Sequence, residues 1–252
     1  MCLILVAWHA HHEYPLVVAA NRDEFHARAT APAAFWEDHP EVLAGRDLAA
    51  GGTWLGITRN GRFAALTNFR DPASHRPYAP SRGRLVADFL CGEADIDAYL
   101  DVIEPERYNG FNLLLGDGRR LVAFSNVSNE RHLLAPGLYG LSNALLDTPW
   151  PKVGQAKTAL EAALAHLPDE HRLWALLRDD RTHPDETLPA TGVPLEWERL
   201  LSAAFIRGAD YGTRSSTVLT VSAGGIVSFD EQSWLPGGVP GERRRYRFSA
   251  IR

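Results

Sequence analysis

Apolar runs and short polar breaks alternate through the first third of the chain. Cys2–Trp8 is almost entirely apolar, His9–Tyr14 is polar, Pro15 follows, and Leu16–Ala20 is apolar again. Two apolar runs of strand length around a polar break predict a β-hairpin. A second hairpin is expected from Gly51–Gly56 and Phe63–Asn68, because Asn60-Gly61 between them supplies the positive φ angles of a tight turn. Phe111–Leu115, Leu121–Asn126 and Leu138–Asn143 read as further strands, the first two joined through Gly116-Asp117-Gly118. Helical spacing runs over Gly83–Cys91 and Ala94–Ile103, with Gly92 as the stop between them. It returns over Val153–Leu167, where Trp150-Pro151 suits a first turn, and continues in Arg172–Leu177 and Pro194–Phe205. Ser216–Val221 and Ile226–Phe229, linked by Ala223-Gly224-Gly225, are strands again. Strands, then helices, then strands, with no internal repeat or low-complexity linker, predict one layered α+β domain over residues 1–252 with antiparallel sheets.

Composition narrows the class. The 252 residues are 45% hydrophobic and 23% charged, which excludes a disordered or collagen-like chain. Two cysteines make no disulfide framework and point to a reducing, cytoplasmic setting. The apolar start is too short to span a bilayer and no Lys or Arg precedes it, so neither a membrane span nor a signal peptide is expected. A net charge of -5 argues against a nucleic-acid partner. The concentrated positive run, Arg243-Arg244-Arg245 with Arg247, alternates with Tyr246 and Phe248 and reads as a solvated strand face.

The chemically informative residue is Cys2. Removal of Met1 would leave it with a free α-amino group, and thiol plus amine on one residue form a nucleophile with its own base. A cysteine there also fits as a small apolar residue opening a buried strand. The hairpin bears on the choice. If Trp8 pairs with Leu16, Cys2 falls opposite Arg22, and a slip by one leaves its partner within Asn21–Asp23. Asn21-Arg22-Asp23-Glu24 thus gathers four hydrogen-bonding residues beside the thiol, where a guanidinium would favour thiolate and a carboxylate would hold the arginine or the α-ammonium. The alternative is a charged strand end with Arg22 paired to Glu24 or Asp47.

Met1-Cys2-Leu3-Ile4 and Ala20-Asn21-Arg22-Asp23-Glu24-Phe25 resemble the NRDE family, which includes the transport and Golgi organisation protein 2 group. Further matching stretches follow in order: Ala44–Asp47, Gly51–Gly56, Ala65–Arg70, Ser81–Gly83, Tyr108–Leu113, Tyr139–Asn143 and Tyr211–Thr217. The family in turn resembles the N-terminal-nucleophile cysteine hydrolases. That resemblance implies a four-layer αββα sandwich with two mainly antiparallel sheets, and a small acyl or amide substrate attacked by Cys2. It implies Arg22 with Asp23 or Glu24 beside the nucleophile, Asn143 with the backbone N–H of Phe69 as oxyanion donors, and Arg214 as a late active-site arginine. Asn68, Asn21, Thr53 and Trp54 are expected around the pocket, although Gly51-Gly52-Thr53-Trp54 also suits a bulged strand packing its indole into the core. Eukaryotic members are associated with haem movement and acyl-lipid metabolism, so the resemblance also implies, as the alternative, a non-catalytic carrier of haem or acyl-coenzyme A.

Other residues carry less. His9, His11 and His12 with Glu13 lack distant partners and read as solvated surface, so no metal site is expected. Cys91 reads as core on a helix end. Gly51-Gly52 and Gly224-Gly225 lack the context of a nucleotide loop, and no cofactor is expected.

Overall fold

A computed structural model describes residues 2–250; the expected removal of Met1 concerns a residue outside that range. The chain opens with strands β1 (Cys2–Trp8), β2 (Leu16–Phe25), β3 (Thr30–Phe35), β4 (Val42–Asp47), β5 (Leu55–Thr58) and β6 (Phe63–Asn68). Helices α1 (Gly83–Cys91) and α2 (Ile96–Asp101) follow, then β7 (Phe111–Gly116), β8 (Leu121–Ser125), β9 (Glu130–Leu133) and β10 (Gly137–Leu141). Helices α3 (Pro151–Leu164), α4 (His171–Leu177) and α5 (Leu195–Leu201) precede β11 (Tyr211–Val221), β12 (Ile226–Leu235) and β13 (Val239–Ser249).

Two antiparallel sheets result. The first has the order β10-β1-β2-β11-β12-β13, the second runs β3 to β9 in sequence order. Because strand side chains alternate between faces, β1 and β2 serve two layers at once. Ile4, Val6, Trp8, Leu16, Val18 and Ala20 meet Leu43, Leu55, Ile57 and Leu114 of the second sheet in the central core. The intervening Leu3, Leu5, Ala7, Val17 and Ala19 pack instead on Val153, Leu160 and Leu173 of α3 and α4. On the far side of the second sheet, Ala64, Leu66 and Leu113 pack on Val86, Phe89 and Leu100 of α1 and α2. Each fully buried Leu or Ile contributes about 1.5–3 kcal/mol relative to exposure. The layers are therefore αββα, as the resemblance implied.

The first hairpin has the expected register, with Trp8 opposite Leu16 and Cys2 opposite Arg22. Several elements differ from expectation. Residues 51–54 are not strand. Gly51 turns at φ 75°, and a Cβ on Gly52 would lie 2.4 Å from the Gly83 carbonyl carbon, so this segment is pressed against the start of α1, with Thr53 N–H donating to Gly83 O at 3.1 Å. The strand begins only at Leu55. Strands β3, β4 and β9 were not expected from the pattern. β2 runs five residues past Ala20, and α2 and α5 are shorter than their apolar spacing suggested. The arginines of β13 stand on an exposed edge strand, where Arg243 and Arg245 both pair with Asp230. Among the described residues no helix is long and apolar enough to cross a membrane.

Candidate active site

The inward faces of the two sheets end in polar residues, and a cavity of about 610 Å³ opens there. Cys2 and Arg22 share the parity of Ile4 and Ala20, so both project on the inter-sheet side and both line the cavity. Burial pushes the Cys2 thiol up from its ordinary range; nearby Asp23 adds to this, while Arg22 and the Asp23 backbone N–H, which donates to the thiol, oppose it. Arg22 is buried, and its Nη1 has no acceptor among the described residues. The pairing of Arg22 with Glu24 or Asp47, the alternative left open by the sequence, does not form. Arg28 takes both carboxylates instead, Asp47 at 2.7 Å and Glu24 at 4.0 Å.

A bulge in β11 arranges the next pair. Thr213 stands opposite Asp23 and Ser215 opposite Arg22, leaving Arg214 as the extra residue. Thr213 Oγ1 donates to Asp23 Oδ1 at 2.7 Å. Arg214 is turned sideways onto the carbonyls of Phe25, His26 and Arg28 at 2.9–3.2 Å, so it staples the turn after β2 while flanking the cavity. Asp23 and Glu24 both reach the cavity, but they differ. Asp23 is buried, and desolvation raises its carboxyl, opposed by Lys152, Thr213 and Arg22. Glu24 accepts from Phe25 N–H at the rim.

The sequence profile described as transport and Golgi organisation 2 matches residues 1–236. This chain belongs to that family. The Bos taurus transport and Golgi organization protein 2 homolog is 42% identical over 244 residues, covering 88% of this chain and 87% of that protein. The Homo sapiens homolog is 37% identical over 258 residues, covering 94% and 93%. Among solved structures, the Caenorhabditis elegans N-acylethanolamine-hydrolyzing acid amidase ortholog matches with a TM-score of 0.53 at 13% identity, covering 86% of this chain and 92% of that one. This chain thus shares the fold of that protein.

Within this family member, the two implied oxyanion donors are already engaged. Phe69 N–H donates to Gly110 O at 2.9 Å, and Asn143 Nδ2 donates to Asn68 O at 2.8 Å. Asn143 is fully buried beside Ser142, whose hydroxyl donates to Cys2 O at 3.0 Å. Asn68, Thr53 and Trp54 do line the cavity. Asn21 does not. By parity it points at the helices, where its Nδ2 donates to Leu177 O and Ala204 O at 2.8 and 2.7 Å and its Oδ1 accepts from Ser216.

Sequence reasoning passed over five charged side chains. Arg82, just before α1, lines the cavity; burial lowers its guanidinium to about 10, against the charges of Cys2 and Glu24. Glu231 stands at an inward position of β12, in step with buried Val227 and Phe229, and accepts from Ala33 N–H at 2.7 Å. A carboxylate breaking an apolar period-two pattern was a legible signal. Lys152 and the buried pair Arg70–Glu198, 2.6 Å apart, lie behind Asp23 on the helix side. His11 and His12 stack in the turn between β1 and β2, and Cys91 is half-buried at the edge of the outer core. Among the described residues no group of three or more His, Cys, Asp or Glu is placed to hold a metal ion.

Proposed function

We propose that this protein is an N-terminal-nucleophile cysteine hydrolase or acyltransferase acting on a linear amide or an acyl thioester, with Cys2 as nucleophile after Met1 removal. The observation that carries this reading is the seat of Cys2, at the end of β1, on the cavity wall and directly opposite Arg22. A thiol raised by burial needs a base, and an α-amine on the same residue, with a reference pKa of about 7.7–8.0, suits that task near neutrality.

In this reading the Cys2 Sγ attacks the acyl carbon and a C–S bond forms while the amine takes the thiol proton. The proton passes to the departing amine or thiolate as the scissile bond breaks. Water then attacks the thioester, its proton going to the amine, and releases the carboxylic acid and the restored thiol. A second nucleophile in place of water makes the same residues an acyltransferase. Asp23 holds the α-ammonium, and Arg22 Nη1 faces the developing oxyanion. With Asn143 and the Phe69 N–H engaged, the Asn68 amide is the better placed second donor; one such donor is worth about 3–4 kcal/mol in the transition state. Two free cysteines suit a reducing, cytoplasmic setting.

The test is turnover of N-acyl amides and acyl-coenzyme A thioesters by wild type and Cys2→Ala. Loss of turnover by at least about 10³-fold, with an unchanged melting curve, is expected for removal of a nucleophile. Undiminished turnover in Cys2→Ala contradicts the reading. Tight, Cys2-independent binding of haem or acyl-coenzyme A without turnover would support a carrier in its place.

A further inference from the structure

Helix α1 begins against the usual rules for a helix start. Its nine residues follow Arg82 at the N-cap, no side-chain hydrogen bond caps it, and no acid stands in its first turn. Anions are favoured at that end because the macrodipole is positive there, yet the chain places Arg82 and Arg84 at it. Ser81, Arg82 and Gly83 all line the cavity that holds Cys2. The helix start is also fixed in place. Thr53 N–H donates to Gly83 O at 3.1 Å, and a Cβ on Gly83 would lie 3.0 Å from Thr53 O.

The cavity's own carboxylates do not answer these cations. Glu24 and Asp47 go to Arg28, and Glu242 pairs with Arg244 at 2.7 Å. Glu231 accepts from Ala33 N–H, and Asp23 from Thr213. Arg82 Nη1 donates to a backbone carbonyl, Gly110 O at 2.9 Å, and Arg214 likewise gives its bonds to carbonyls. Arg22, 7% exposed on the same cavity, has an Nη1 without an acceptor among the described residues. A guanidinium carries five N–H donors, so one can face an oxyanion while the charge still serves a second group. Enclosed cations are costly unless an opposite charge meets them. Guanidinium forks beside an uncapped helix start are the donor set that holds a carboxylate or a phosphate.

We propose that the start of α1, with Arg82 and Arg22, forms an anion subsite, and that the substrate attacked by Cys2 carries a carboxylate or phosphate group apart from its scissile bond. The second half of this rests on the reading of Cys2 as the reacting thiol; the first half does not. Arg82 and the helix start hold the anion's oxygens from the second sheet's side, and Arg22 adds its charge from β2 in the first sheet.

Calorimetric titration of the full chain with inorganic phosphate and with glutarate, in chloride at constant ionic strength, reads the subsite without turnover. At least one of the two should bind with a stoichiometry of one, and the tighter assigns the group as phosphate or carboxylate. Arg82→Gln should weaken that anion by about tenfold or more, the loss of a charge-assisted contact. Ser81→Asp offers α1 a carboxylate of its own and should weaken the anion to a similar degree. No binding to wild type overturns the proposal. So does an unchanged affinity in either variant, which would put the anion on another surface. Should Arg82→Gln not fold, Ser81→Asp decides. With any substrate whose turnover needs Cys2, the bound anion should raise KM and leave kcat unchanged. A lowered kcat with KM unchanged, or no inhibition, overturns the substrate half. Turnover surviving in Cys2→Ala would defeat the functional reading separately, and the titration would still decide the subsite.

Discussion

Opposing influences meet on single side chains around Cys2. Burial raises the thiol, and Arg22 across the strand pair draws it back. Lys152 carries the same tension into stability. A lysine at about 8 in the folded state and 10.5 unfolded leaves the unfolded chain holding more protons between those values, so its contribution to stability rises with pH across that window. Urea unfolding of wild type and Lys152→Met at pH 7.5 and pH 10 checks this. The difference should move toward wild type by up to about 3 kcal/mol, and a difference that stays constant contradicts it. At this scale the sequence was partly legible. Cys2 opposite Arg22 followed from the length of one turn, because a hairpin register is local. Lys152, Arg70 and Glu198 were not legible as a set, since their partners come from segments separated by up to 128 residues.

Elements inherit their placement from such residues. Asn21 brackets β2 to the ends of α4 and the segment after α5 through two buried carbonyls, while Ser216 links it onward to Trp234. Asn21→Ala should therefore destabilise by about 2–4 kcal/mol, since it strands buried acceptors, and chemical denaturation reads it directly. A loss under 0.5 kcal/mol would mean the bracket is dispensable. The pattern expected Asn21 near the pocket, but period-two alternation with Leu3 and Ala19 sends it to the helix face instead. Strands β3 and β4 escaped notice for a related reason. β3 contains Pro32 and β4 ends in Gly45-Arg46-Asp47, and their strand character comes from pairing with each other rather than from residue preference. The bulge at Arg214 is likewise invisible before the β2–β11 register is known.

Across the whole molecule, two sheets share one apolar core and carry helices on their outer faces, leaving the polar strand ends to enclose a cavity. The layer order came from family resemblance, whereas alternating strands and helices alone implied only an α+β chain. The cavity could not be read from either, because its wall joins residues of β1, β2, β4, β11 and β12 that meet only once both sheets have formed. What the enclosed thiol does is the central question, and one peptide answers it. Trypsin frees the N-terminal peptide ending at Arg22, the first Lys or Arg of the chain. After brief exposure of the protein to an acyl-coenzyme A thioester and an acid quench, its mass should be that of a chain starting at Cys2 and carrying one acyl group. A peptide that still starts at Met1, or one that stays unacylated while the thioester is consumed, would contradict the account.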